Sequence, residues 1–216
     1  LLDVLCPTVT VPKMLQIFLS EDKRISFHGC MLQVLFLIGF VGTEAFLLAA
    51  MAYDRYLAIC SPLHYTNIMS KRLCVQLAAA TWIIGFTNSI IHTSLTFNLS
   101  YCGPNKVSQY YCDVLPVVAL SCSSTYIAEL VRLPMAGLLA GASFLVTFVS
   151  YVYIILAILR MRSSVGRRKV FNTCGSHLTV VGLFYGTVTA TYVRPPSGYS
   201  PKLDRIVSML YVILTP

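Results

Sequence analysis

Charge is scarce in this chain. Asp, Glu, Lys and Arg make up 11% of its 216 residues, against roughly 25% in an average soluble domain. So little charge cannot clothe a water-facing surface of this size, and a soluble globular domain is excluded. The same shortage, with no low-complexity tract, excludes a disordered tail. Catalytic signatures are missing as well. The four histidines (His28, His64, His92, His177) are dispersed, with no HExxH, no GxSxG and no phosphate-cradling glycine loop, so no enzyme is expected. There is no initiator Met: the chain opens at Leu1 inside one apolar run and closes inside another at 212–216. It is expected to be a piece of a longer polytopic chain, with no signal peptide in view.

What is present is apolar sequence, 56% of the residues. No Asp, Glu, Lys or Arg occurs at 73–105, 133–159 or 170–193, and 25–53 holds one, Glu44. Each run can cross a ~30 Å hydrocarbon core at ~20 residues per span. With 1–19 and 203–216 as partial spans, the expected segments are 1–19, 25–56, 73–97, 133–159, 170–193 and 203–216. In lipid the backbone must satisfy its own hydrogen bonds, and continuous apolar runs do so as helices rather than as barrel strands of alternating polarity. The fold class is therefore an all-α integral membrane bundle of six segments, the first and last incomplete.

Lys and Arg set the orientation. One set of connections carries Arg55, Lys71, Arg72, Arg160, Arg162, Arg167, Arg168 and Lys169 against Asp54 alone, eight basic to one acidic. The other carries Lys23, Arg24, Lys106, Arg132, Arg194, Lys202 and Arg205 against Glu21, Asp22, Asp113, Glu129 and Asp204, seven to five. The first side is expected to be cytoplasmic. Its basic residues sit in membrane-proximal turns, which suits anionic lipid and not nucleic acid. Of the eight cysteines, Cys30, Cys102, Cys112 and Cys122 fall on the opposite side, three of them in the loop at about 98–128. Disulfides form in oxidising, extracytoplasmic space, so two bridges are expected there; four cysteines allow three pairings. Zinc is the rival reading, but no CxxC spacing occurs. Cys6, Cys60, Cys74 and Cys174 are expected to be free thiols. Asn98-Leu99-Ser100 is a weak glycosylation acceptor pattern. Gly137-x-x-x-Gly141 and Gly182-x-x-x-Gly186 are candidate helix contacts.

At the basic end of the 25–53 run stands Met51-Ala52-Tyr53-Asp54-Arg55-Tyr56-Leu57-Ala58-Ile59-Cys60, followed by Ser61-Pro62-Leu63-His64-Tyr65. This string resembles, almost letter for letter, the MAYDRYVAIC-x-PLxY signature of olfactory receptors, a branch of the rhodopsin-like class A G-protein-coupled receptors. Other places agree. Pro12-Lys13-Met14-Leu15 resembles the PKML that ends the family's second helix. Ile25-Ser26-Phe27-His28-Gly29-Cys30 with Gln33 resembles ISFxGCxxQ at the start of its third. Phe171-Asn172-Thr173-Cys174-Gly175-Ser176-His177-Leu178 is similar to KAFSTCxSHL, with Val170 and Asn172 as departures. Phe184-Tyr185-Gly186, Arg194-Pro195 and the stretch 208–216 also match.

The resemblance implies a seven-transmembrane-helix receptor bundle, seen from within helix two to the middle of helix seven. It implies the pairs Cys30–Cys112 and Cys102–Cys122. It sets Asp3 and Glu44 face to face in helices two and three, where two carboxylates repel unless one is protonated or a cation lies between; a sodium ion at Asp3 and Glu44 and a protonated Glu44 are the two readings, equally open. The ligand pocket is expected between helices three, five, six and seven, toward the extracellular side, with lining from helix three (Val34, Leu37, Ile38, Val41, Gly42), helix six (Tyr185, Val188, Thr189, Tyr192) and helix seven (Ser208, Met209, Val212). The first two sets each keep one helical face, which in sequence alone equally suits packing. That lining is apolar with a few hydroxyls, so the expected ligand is a small, mostly neutral volatile. Asp54, Arg55 and Tyr56 resemble the switch that meets a heterotrimeric G protein, in this family the stimulatory olfactory type that raises cyclic AMP. No cofactor is expected beyond the sodium ion. The alternatives are a non-olfactory class A receptor or a polytopic transporter, the latter predicting inverted repeats or broken helices, which the sequence does not display.

Overall fold

The computed structural model describes residues 2–20, 23–107, 109–161 and 163–192, and of 164, 165, 169, 191 and 192 the backbone alone. Seven helices occur among the described residues: α1 (Leu2–Leu19), α2 (Phe27–Cys60), α3 (Pro62–Ile68), α4 (Lys71–Phe97), α5 (Val114–Val118), α6 (Tyr126–Arg160) and α7 (Ser164–Tyr192). Four of them, α1, α2, α4 and α6, are long and apolar enough to cross a membrane. The 29-residue α7 is long enough too, but Asn172, Ser176 and His177 interrupt its apolar run, so its place among the spans follows from the resemblance.

Local chemistry sets the ends. Ser26 and Ser70 cap α2 and α4, their hydroxyls accepting from Gly29 N at 3.1 Å and Leu73 N at 3.3 Å, which satisfies orphan first-turn donors. Ser61 breaks α2 from α3 because a residue before proline is pushed out of the helical region; its φ is −138° and Pro62 then opens α3. Asp113 caps α5 through Val114 N at 2.7 Å. Pro7 and Pro12 lie inside α1 and Pro134 inside α6, tolerated in a span where hydroxyls and neighbouring helices re-satisfy freed groups.

Several boundaries differ from those read in the sequence. Helix α2 continues to Cys60, and α6 begins at Tyr126 rather than 133, with Glu129 and Arg132 in its first two turns. The Thr125 hydroxyl donates to Glu129 Oε1 at 2.8 Å, so those polar residues belong to the helix start and the loop ends near 125. Helices α3 and α5 lie in stretches read as connections. The partial span at 203–216 lies outside the described residues.

Helix α2 is the axis of the bundle, packed by α1, α4, α6 and α7. Its crossing with α4 is unusually close. A β-carbon on Gly85 of α4 would stand 2.6 Å from Thr43 N and 2.8 Å from Gly39 O, so only a glycine fits there. Gly137, Gly141, Gly182 and Gly186, read as helix contacts, have no neighbour within 4 Å of where a β-carbon would stand among the described residues, so no described helix packs against them. Three apolar clusters follow α2. The outer one joins Cys30 and Val34 to Cys112, Val114, Val117 and Val118. The middle one joins Leu37 and Phe40 to Cys6, Met14, Val181 and Phe184. The inner one joins Ala52 to Tyr151, Ile154 and Cys174.

Candidate functional site

At the outer end a loop folds over α2. Cys30 is bonded to Cys112 and Cys102 to Cys122, with Cα separations of 5.4 and 5.9 Å, the two pairs implied by the resemblance. The remaining four cysteines, Cys6, Cys60, Cys74 and Cys174, are free. Gln33 strengthens the junction: its amide donates to Val9 O at 2.9 Å, and its Oε1 accepts from Cys112 N at 2.8 Å. One side chain thus ties α1, α2 and the loop. The sequence marks Gln33 only as part of a motif; an amide inside an apolar run was the signal that could have found this role. Val34 and Ile38 pack under α5 in this outer cluster.

In the middle, Leu37 and Val41 of α2 meet Phe184, Tyr185 and Val188 of α7 in one apolar cluster, so residues from two of the three expected lining helices do come together. The Tyr185 hydroxyl donates to Ser143 Oγ of α6 at 2.8 Å, setting a polar point in that lining. Two residues fall elsewhere. Gly42 faces Gly85 at the helix crossing, a β-carbon there lying 3.1 Å from Gly85 Cα, and Thr189 is exposed. The Tyr192 side chain, Ser208, Met209 and Val212 lie outside the described residues. A separate open groove of about 330 Å³ runs between α1 and α2 beside Lys13, Leu32 and Phe36.

Asp3 and Glu44 lie within electrostatic reach of one another, and Cys6 within reach of Glu44. Among the described residues no group of three or more His, Cys, Asp or Glu is arranged to hold a metal, so a cation there would complete its shell with neutral oxygens.

At the inner end Asp54 and Arg55 part company. The Asp54 carboxylate accepts a hydrogen bond from the Tyr65 hydroxyl of α3 at 2.8 Å, which pushes the Tyr65 phenol above its ordinary value of 10.0. Arg55 turns into the bundle, where its buried Nε has no hydrogen-bond partner among the described residues, and its charge reaches Tyr151, Cys174 and His177. Tyr56 packs on the same cluster. There the Tyr151 hydroxyl and His177 Nδ1 stand 2.7 Å apart, linking α6 to α7. Sequence spacing gives no hint that these two meet, although each is a polar residue inside an apolar run. Asn98 is exposed at the end of α4.

Comparison with known proteins agrees with this arrangement. A family profile described as olfactory receptor matches residues 1–216. Mouse olfactory receptor 5AR1 is 49% identical over 205 residues, 95% of this chain and 66% of that protein. Human olfactory receptor 5AR1 is 47% identical over the same shares, and mouse olfactory receptor 8U3 is 46% identical over 99% of this chain and 67% of its own length. The chain thus spans about two thirds of the length of the curated relatives it matches. With its apolar spans, its helix-only bundle and its match to the profile from end to end, it is a multi-pass membrane protein that belongs to the olfactory receptor family.

Proposed function

We propose that the protein is an odorant receptor. A small, mostly neutral volatile binds among α2, α6 and α7, and binding drives a stimulatory olfactory-type G protein to raise cyclic AMP. One observation carries this reading. The helices that meet in the apolar centre, α2 and α7, also hold Arg55 and His177 at the basic end, so a ligand that separates α7 from α2 alters what surrounds Arg55. The lining residues that meet there, Leu37, Val41, Phe184, Tyr185 and Val188, offer apolar surface and one phenol hydroxyl, which favours a ligand held by burial and one or two hydrogen bonds over an amine or a carboxylate. The basic connections face the cytoplasm and the disulfide-bonded loop faces outward, as the charge bias and the oxidised cysteines support. A sodium ion between Asp3 and Glu44 relieves their repulsion.

The experiment is a cyclic AMP assay of the full-length parent chain, co-expressed with the stimulatory olfactory G protein, against neutral volatiles and matched amines and carboxylates. Neutral compounds are expected to activate. Activation by amines or carboxylates alone refutes the ligand class.

A further inference from the structure

Helix α4 carries a polar stripe that nothing above employs. Asn88 Oδ1, His92 Nε2 and Thr93 Oγ1 are all buried, and none has a hydrogen-bond partner among the described residues. His92 and Thr93 are each only 5% exposed. Buried polar atoms are nearly always paired, because leaving one unmade forfeits its hydration without return, and three within six positions of one helix call for a common cause. Neighbouring Ser89 is not among them. Its hydroxyl donates to Leu35 O of α2, which fastens this part of α4 to the helix that carries Val34, Leu37 and Ile38. From α6, the Arg132 charge reaches His92.

We propose that Asn88, His92 and Thr93 form the polar subsite of the ligand pocket and that it recognises a hydroxyl group, so that the preferred ligands are alcohols or phenols. This rests on the odorant-receptor reading. The choice of hydroxyl follows from donor and acceptor chemistry. An amide oxygen only accepts, so the guest must donate to Asn88; a neutral imidazole nitrogen and a threonine hydroxyl do either, so the same guest atom accepts from one of them. Aldehydes, ketones and esters lack the donor, and a carboxylate, though welcome to Arg132, lacks it too. Spacing agrees. Residues 88 and 92 are one turn apart, with about 5–6 Å between β-carbons, and one oxygen bonding at ~2.8 Å to either side bridges that distance. The three atoms are covered by packing, so the hydroxyl enters by displacing side-chain contacts at the outer end of α4.

The experiment compares concentration–response curves for the full-length parent receptor, using straight-chain and aromatic alcohols, each paired with the aldehyde and hydrocarbon of the same skeleton. Alcohols are expected to act at about tenfold lower concentration than their paired aldehydes, the size of one buried hydrogen bond left unmade. Asn88→Leu should shrink that gap to within about threefold; Thr93→Val removes a donor that either guest oxygen can use and should leave the gap in place, as should His92→Gln, which keeps a donor and an acceptor. If Asn88→Leu fails to reach the cell surface, Asn88→Ala, which equally lacks the acceptor, decides. Aldehydes as potent as their alcohols on the unmodified receptor, or an Asn88 variant that weakens both members of every pair equally, overturn the inference while leaving the odorant reading standing. An unmodified receptor that reaches the surface and answers nothing in the panel overturns that reading, and this inference with it.

Discussion

Replacing Gly85 by alanine should pry the bundle's main contact apart. The added β-carbon would lie 2.5 Å from Thr43 Oγ1, 2.6 Å from Thr43 N and 2.8 Å from Gly39 O. The hydroxyl can rotate, although it already donates to Gly39 O at 2.7 Å; the two backbone atoms cannot move without their helix. Bringing the 2.6 Å contact out to an ordinary 3.4 Å requires α4 to shift from α2 by about 0.8 Å, and interiors packed to crystal density resist such shifts. Overpacking of this kind costs about 1–3 kcal/mol, offset in part by the ~1 kcal/mol better helix propensity of alanine. The net expectation is a loss of up to about 2 kcal/mol. Gly137→Ala is the matched control: among the described residues nothing lies within 4 Å of its β-carbon, so the propensity gain is what remains. The assay is the thermal midpoint of the purified full-length receptor in lipid nanodiscs, with surface expression in cells as a second readout. Gly85→Ala should lower both and Gly137→Ala should lower neither. Equal behaviour of the two variants would refute the close crossing.

Reduction-proof variants of the two disulfides should differ. On the chain-entropy scale, closing 82 residues is worth about 4.5 kcal/mol and closing 20 about 3.3. Cys30→Ser with Cys112→Ser should therefore lower surface expression more than Cys102→Ser with Cys122→Ser; the reverse order contradicts the assignment of Cys30–Cys112 as the main staple. If a sodium ion lies between Asp3 and Glu44, ligand affinity in the parent receptor should respond to sodium concentration and Glu44→Gln should abolish the response. Identical titrations would remove the ion. At the basic end, the Tyr65 phenol should ionise above 10.0, because its hydrogen bond to Asp54 favours the protonated form. The stability that bond confers is thus fully present below pH 10 and lost as pH rises through the raised value. A phenolate difference titration against Tyr65→Phe measures it; ionisation at or below the ordinary value contradicts the bond.

How much of this is legible in the sequence depends on which physical signal a residue carries. Uncharged runs locate α2 and α4 to within a few residues, since desolvating a charge in lipid is costly wherever it sits. The same rule misplaces the start of α6, because Glu129 and Arg132 belong to a helix whose first turns reach beyond the hydrocarbon. The short α3 and α5 depend on Pro62 at a helix start and on the Asp113 cap, signals too local to stand out between long spans. Within spans, periodicity fixes faces but not neighbours. Leu37, Val41, Tyr185 and Val188 do come together, through van der Waals packing of complementary helix faces rather than any hydrophobic force, which lipid does not supply. Gly42 keeps the same periodicity and yet meets Gly85, since a missing side chain invites a helix rather than a ligand. Asp54 and Arg55 read as a pair from adjacency, but neighbouring helical residues point about 100° apart, which is why one meets Tyr65 and the other turns toward Tyr151 and His177. The Tyr151–His177 contact depends on the relative rotation of α6 and α7, which no single sequence specifies.

In the proposed mechanism a ligand held between α2 and α7 acts on a G protein through Arg55. Nucleotide exchange on the purified stimulatory olfactory G protein tests it most directly, with the full-length receptor in nanodiscs, an activating odorant from the panel, and Arg55→Ala beside the unmodified chain. Odorant should speed exchange with the unmodified receptor and leave it at the basal rate with Arg55→Ala, although the variant still binds the odorant. Equal acceleration by both would contradict the role of Arg55, and no acceleration by either would contradict coupling to this G protein.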